Sequence, residues 1–310
     1  MPTVGLVGVG LIGRAWANVF ARAGWDVRLW DPDAEALAAA PALIAQSLAD
    51  VERHGLAKDA AAAAKSVQVA ASVEEAVRGA EYVQESGPER VEVKREVFAR
   101  LDAAAAPETI LATSSSFITT SRFAEALQGR QRCLVAHPVN PPHVVPIVEL
   151  SGASFTSQAT IERARAIFES VGQVPIVVKR EIDGFILNRM QAVLLSEAMR
   201  LVGQGYVSAE DLDKTIRDGL GLRWSFMGPF ETIELNAPGG IADYCARYGE
   251  TLLRVSSEPV TPDIWAADNI ARATASWGRT PSPEAIAEKS RWRDERLAAL
   301  VAHKRAQPKS

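Results

Sequence analysis

Short apolar runs rich in β-branched residues alternate with stretches of helical periodicity through the first half of the chain. Thr3–Val7 reads as a strand, followed by glycines and an amphipathic helix over Leu11–Ala23, and Asp26–Trp30 reads as a second strand. The Ala-rich, polar-faced stretch from Ala34 to Lys65 reads as two helices broken near His54–Gly55. Further strands are expected at Val67–Val69, Tyr82–Gln84, Thr109–Ala112, Cys133–Ala136, Val144–Leu150 and Val174–Val178. A helix is expected over Ser157–Val171, where Ile161, Ala164, Ile167 and Val171 share a face. Strands and helices in alternation predict a mostly parallel sheet covered by helices.

After Lys179 the pattern changes. Glu181-Ile182-Asp183-Gly184 reads as a linker into a long helix from Ile186 to Gly203. Beyond Gly203 the chain is helical, punctuated by Gly219, Gly221, Gly228-Pro229 and Pro238-Gly239-Gly240. A polar, charge-mixed helix over Pro283–Lys304 closes the chain, with Trp292 and Leu297 serving either a core or a subunit contact. The expected division is therefore 1–183 and 184–310. Alanine clusters at 60–64 and 103–106 read as helical filler, alanine being the best helix former.

With 310 residues, 47% of them apolar and 23% charged, the chain has material for two soluble domains without a disulfide or metal staple. A formal charge of −4 and a pI near 5.7 exclude a general attraction to nucleic acid or to an anionic membrane. Cys133 and Cys245 match neither a metal-ligand spacing nor a disulfide framework. Each is expected to be a small buried hydrophobe, and no metal site is expected. The N-terminus lacks the basic start of a signal peptide, and no uninterrupted apolar run approaches the ~20 residues that span a bilayer. A cytoplasmic location is expected.

Candidate chemistry begins with Gly8-Val-Gly10-Leu11-Ile12-Gly13, directly after the first strand. Alone, a GxGxxG is any tight turn. Here it follows a strand, opens a helix and is followed by Asp31 at the end of the next strand. Gly8 permits the turn, Gly10 lets backbone approach a pyrophosphate, and Gly13 lets helix and strand pack closely. The helix start at Leu11 and Ile12 offers N–H groups and a positive dipole end to phosphate. Asp31 suits both adenosine ribose hydroxyls and repels a 2′-phosphate, which favours NAD over NADP; a turn residue before Pro32 is its blander role. The expected fold class is α/β, a Rossmann-type doubly wound sheet followed by an all-α C-terminal domain.

His137 stands in His-Pro-Val-Asn-Pro-Pro, a stiff loop that fixes where an imidazole points. Twelve residues on, Glu149 interrupts an apolar strand, and a carboxylate in a buried strand is costly unless paired. The two make a candidate dyad, in which the carboxylate stabilises the imidazolium formed on proton abstraction. An edge strand with Glu149 facing water, which Pro146 would allow, is the alternative. Moving a hydride from an alcohol requires such a base and donors for the developing carbonyl. Ser114, Ser115 and Ser116 follow a strand, where ligands bind in doubly wound sheets, and Asn188 opens the long helix. Each also fits an ordinary loop or junction residue.

Taken together, these residues resemble the L-3-hydroxyacyl-CoA dehydrogenase superfamily. The shared pattern is the GxGxxG start, a segment like Glu85-Ser-Gly-Pro-Glu89, a serine loop, His137-Pro-Val-Asn-Pro followed by Glu149, and Gly184-Phe-Ile-Leu-Asn188-Arg. It covers essentially the whole chain. The resemblance implies an NAD-dependent oxidoreductase with His137 as base and Glu149 as its orienter. It implies Ser116 and Asn188 as hydrogen-bonding partners of substrate oxygen, and Glu89 and Lys94 near the nicotinamide half of NAD. Ser114 falls where the acyl-CoA enzymes commonly carry an asparagine. A homodimer joined through the helical domain is also implied.

Where the acyl-CoA enzymes generally read Gly-Tyr-Pro-Met-Gly-Pro, this chain has Gly221-Leu-Arg223-Trp224-Ser-Phe-Met-Gly-Pro229. Arg223 offers a planar fork of donors suited to a carboxylate, so a small free 3-hydroxy acid is the expected substrate. L-Gulonate comes first by resemblance; a surface salt bridge is the other role for Arg223. The alternatives are 3-hydroxybutyryl-CoA and L-carnitine, the latter needing a cage to which only Trp224 and Phe226 are candidates. A non-catalytic, NAD-binding structural protein is the competing class, against which a costly His–Glu pair argues.

Overall fold

The structure, a computed structural model, describes residues 1–275, 278 and 281–308. The chain forms two compact units, Met1–Arg189 with Pro283–Ser310, and Met190–Ser282.

The first unit is built on one sheet of eight strands: β1 (Thr3–Val7), β2 (Asp26–Trp30), β3 (Val67–Val69), β4 (Tyr82–Glu85), β5 (Ile110–Thr113), β6 (Cys133–Pro138), β7 (Ile147–Ser151) and β8 (Val174–Val178). Their order is β3-β2-β1-β4-β5-β6-β7-β8. All pairings are parallel except β6 with β7. The order reverses beside β1, and a doubly wound sheet binds its ligand at that switch point. β7 starts three residues later than expected, because the N–H groups of Val144 and Val145 both bond the Pro141 carbonyl in a turn.

Around the sheet lie α1 (Leu11–Arg22), α2 (Ala34–Arg53), α3 (Ala60–Lys65), α4 (Val73–Val77), α5 (Val91–Ala104), α6 (Thr120–Ala124), α7 (Gln158–Ser170) and the first turn of α8 (Leu187–Gly203). Three of these were not legible as helices. α4 and α6 have five residues each, too short to show a period, and α5 carries Lys94 on its buried face with Phe98 and Leu101. α2 is long and apolar enough to cross a bilayer by length and composition, but it packs Ala40, Ile44 and Leu48 into the core. Trp16, Phe20, Tyr82 and Phe168 fill one face of the sheet, with Phe20 stacked 5.8 Å from Tyr82. Phe98, Phe123 and Phe185 fill the other. Cys133 is buried, which pushes its thiol up to about 12, whereas Cys245 is exposed, contrary to expectation.

In the second unit α8 continues, followed by α9 (Ala209–Lys214), α10 (Gly221–Trp224), α11 (Pro229–Glu234), α12 (Gly240–Ser256) and α13 (Ala267–Thr274). A π-helical stretch, Thr215–Leu220, joins α9 to α10. The closing helix α14 (Pro283–Ala306) departs from the expected 184–310 grouping. Its Leu297, Ala298, Val301 and Ala302 pack with Val51, Leu56 and Val144, so it belongs to the first unit. That narrow stripe is hidden in an otherwise charged helix. Leu297 is thus a core residue, while Trp292 stays half exposed between Lys289 and Arg296.

Candidate active site

The three motif glycines have different reasons to be glycine. Gly8 sits at φ +100°, and a Cβ there would lie 2.8 Å from the backbone of Ser86. A Cβ on Gly13 would lie 1.8 Å from the Gly8 carbonyl oxygen. Gly10 faces nothing within 4 Å, so the backbone there is open to close approach by a group from outside the chain. Gly10 caps α1 without a side-chain acceptor, and no acidic residue occupies the first turn. The N–H groups there and at Leu11, which is 71% exposed, stay available to a phosphate. The pyrophosphate of a dinucleotide fits this turn.

Asp31 holds the turn role considered for it. Its Oδ2 accepts from Val9 N–H at 2.8 Å and its Oδ1 from Asp33 N–H at 2.9 Å, which braces the glycine turn against the end of β2. Each oxygen retains a lone pair for a ribose hydroxyl.

The segment after β4 is held from below. Glu85 and Lys94, each 1% exposed, pair at 2.8 Å, and Thr113 and Gly87 N–H also donate to the carboxylate. Lys94 Nζ also lies 3.4 Å from the Gly87 carbonyl, so it ties the Ser86–Glu89 segment to Glu85, whose buried charge requires a partner. Sequence reading missed Glu85, although the cost argument used for Glu149 applies equally to a glutamate ending a buried strand.

Glu89 organises the serine loop, accepting from Ser115 Oγ and from Phe117 N–H at 2.9 Å. Partial burial pushes its carboxyl up, but those hydrogen bonds and the charge of Lys94 outweigh this and hold it below the ordinary carboxylate range. Ser114 is saturated by the protein: Trp16, Gln84 and Ser86 all reach its hydroxyl. Ser116 is different, since its hydroxyl has no partner among the described residues while its carbonyl accepts from Asn188 Nδ2 at 3.1 Å.

The sheet register brings His137 directly opposite Glu149 across β6 and β7. Facing residues of an antiparallel pair project to the same side, and Nδ1 lies 2.8 Å from Glu149 Oε2. The edge-strand alternative fails, because β8 covers β7 and Glu149 is fully buried. The other oxygen of Glu149 accepts from Ile186 and Leu187 N–H, at 2.9 and 3.0 Å, at the start of α8. A carboxylate at a helix N-terminus is favoured by the dipole as well as by the bonds. The backbone gets there through two successive left-handed residues, Gly184 (φ 75°) and Phe185 (φ 48°). Phe185 is buried with its ring 5.3 Å from His137. One hydrogen-bonded run thus links His137, Glu149, the start of α8, Asn188 and Ser116. No cluster of metal-ligating side chains occurs among the described residues.

A switch-point glycine turn and a positioned imidazole carried on one doubly wound sheet are the features of an NAD-dependent oxidoreductase. Residues 3–182 match the NAD binding domain of 3-hydroxyacyl-CoA dehydrogenase, and residues 184–277 match its C-terminal domain. The chain belongs to the 3-hydroxyacyl-CoA dehydrogenase family. It is 40% identical to lambda-crystallin of Oryctolagus cuniculus over 305 residues, 97% of this chain and 95% of that protein. It is 35% identical over 304 residues to an L-carnitine dehydrogenase of Pseudomonas sp., covering 97% of this chain and 93% of the relative. A solved structure of 5-formyl-3-hydroxy-2-methylpyridine 4-carboxylic acid 5-dehydrogenase, an NAD+-dependent dismutase, is similar at 25% identity and a TM-score of 0.83. The match covers 99% of this chain and all of that one.

Proposed function

We propose that this protein oxidises the 3-hydroxyl of a small free hydroxy acid, L-gulonate first among candidates, with His137 and Glu149 as the base dyad. The observation that carries this reading is the buried 2.8 Å contact between the two, held from behind by the N–H groups that open α8. When bound, NAD+ supplies the hydride acceptor. Glu149, which accepts three hydrogen bonds, keeps the Nδ1 proton on His137 and leaves the Nε2 lone pair for the alcohol proton. The imidazolium then formed faces a full negative charge. Ser116 offers a free hydroxyl, and Asn188, anchored through one of its two amide protons, keeps hydrogen-bonding capacity for the same substrate oxygen.

Arg223 supports the free acid over the thioester. It is exposed on α10 and has no ion-pair partner among the described residues, so its fork is not taken up in a salt bridge. L-Carnitine also carries a free carboxylate, and the likeness to an L-carnitine dehydrogenase keeps it as the second reading. The likeness to lambda-crystallin motivates a non-catalytic structural role, which would have no use for a costly buried His–Glu pair. A homodimer belongs to the same proposal. Phe230, Leu235 and Leu253 are each more than 60% exposed, apolar surface that a second copy of the chain would cover.

The test is NADH formation, followed by absorbance, with L-gulonate, 3-hydroxybutyrate, L-carnitine and 3-hydroxybutyryl-CoA. A kcat/KM for L-gulonate above the other three supports the proposal. Turnover of the thioester alone replaces the substrate, and NAD+ binding without any turnover favours the structural role.

A further inference from the structure

The hydrogen bonds behind the glycine turn run in one direction. The Ala136 carbonyl can only accept, and it lies 3.3 Å from the Gln84 side-chain nitrogen. Gln84 therefore turns its amide oxygen to Tyr82, whose hydroxyl donates to it. The second amide proton of Gln84 goes to Ser114 Oγ at 2.7 Å, and the indole N–H of Trp16, a donor only, reaches the same oxygen at 3.0 Å. A hydroxyl oxygen has two lone pairs, and both of Ser114's are now filled. Its single proton must go to Ser86 Oγ, 2.9 Å away.

Ser86 is thus an acceptor in this chain, and its own proton has no acceptor among the described residues. Its position gives that proton a use. A Cβ on Gly8 would strike the Ser86 backbone at 2.8 Å, and one on Gly13 would lie 3.7 Å from the Ser86 Cβ. Ser86 stands against the turn that fits the pyrophosphate. We propose that Ser86 is a cofactor-binding residue, a donor of fixed polarity to an acceptor oxygen on the pyrophosphate or nicotinamide-ribose part of the dinucleotide. The proposal rests on the NAD-binding role of the glycine turn. Tyr82, Gln84, Trp16 and Ser114 act as positioning residues, each bond polarising the next.

Calorimetric titration of the whole protein with NAD+, ADP-ribose and ADP tests it. Ser86→Ala should weaken NAD+ and ADP-ribose about five- to tenfold, the size of one hydrogen bond. An equal loss with ADP assigns the acceptor to the pyrophosphate, and no loss with ADP assigns it to the ribose. Ser86→Cys keeps the volume with a weaker donor and should lose less, which also serves if the alanine variant folds poorly. The Ser86→Ala/Ser114→Ala double variant should bind as Ser86→Ala does, because Ser114 acts only through Ser86. Unchanged affinity for all three ligands in both single variants at position 86 overturns the proposal, as do losses that simply add in the double variant. If the unaltered protein fails to bind NAD+, it is the cofactor role of the glycine turn that falls instead.

Discussion

Replacing Glu149 by glutamine tests the dyad most directly, because the structure dictates how the new amide must sit. Glu149 accepts at one oxygen from Ile186 and Leu187 N–H and at the other from His137. Glutamine has one acceptor end. Turned toward His137, it would aim its NH2 at two backbone donors in a fully buried place, leaving both unsatisfied at roughly 1–3 kcal/mol each. It therefore turns its oxygen to α8 and its NH2 to His137, which makes Nδ1 the acceptor and moves the ring proton to Nε2. The base is then in the wrong tautomer, and the charge that stabilised the imidazolium is gone. The comparable loss in the serine-protease triad is about 10⁴-fold, so a fall in kcat of roughly 10³- to 10⁴-fold is expected, about 4–5.5 kcal/mol of barrier. NAD+ affinity and the melting temperature should change little, since shape and the α8 hydrogen bonds survive. Steady-state kinetics across pH, with NAD+ binding measured separately, provides the assay. A Glu149→Gln protein that turns over within tenfold of the parent at neutral pH would refute the reasoning.

Four further outcomes are expected. Gly13→Ala should abolish NAD+ binding and lower the melting temperature, because its Cβ collides with the Gly8 carbonyl. Gly10→Ala, which meets no protein atom, should leave the melting temperature unchanged while weakening NAD+, as titration calorimetry and thermal melts would reveal together. Arg223→Met should raise KM for free hydroxy acids by roughly tenfold or more, the loss of a charged hydrogen-bonding pair, with little effect on a thioester. His143, near α14, has its imidazole lowered from 6.5 to about 4, first by burial and then by the charge of Arg22. The unfolded chain therefore takes up this proton before the folded one does. Stability from this group is complete above pH 6.5 and falls as pH drops toward 4, by up to about 3 kcal/mol. His143→Phe should flatten the slope of denaturant midpoint against pH in that window.

Much of the first unit was legible because its signals are local. Strands β1, β2, β3 and β8 fell where alternation and β-branching placed them, and the break near His54 separates α2 from α3. The glycine motif, Asp31, His137 and Glu149 stood out by residue type and setting. What was not legible is the set of partners that hold Lys94 and Ser114 in place. Nothing in the neighbourhood of Lys94 announces that its ammonium ends on Glu85, nor near Ser114 that Trp16 lies 98 residues away in sequence and fills its lone pair.

The amino-acid order alone determined most of the strands and the longer helices, where the glycine turn falls and which side chains have reactive chemistry, because spacing, turn residues and propensity act over a few neighbours. The tertiary structure decided the rest. It chose an antiparallel step that sets His137 against Glu149, a left-handed turn that brings the α8 amides 37 residues along the chain onto the same carboxylate, and the docking of α14 on the first unit. Those choices depend on strand register and on burial of opposite faces, free energies that exist only once distant segments meet.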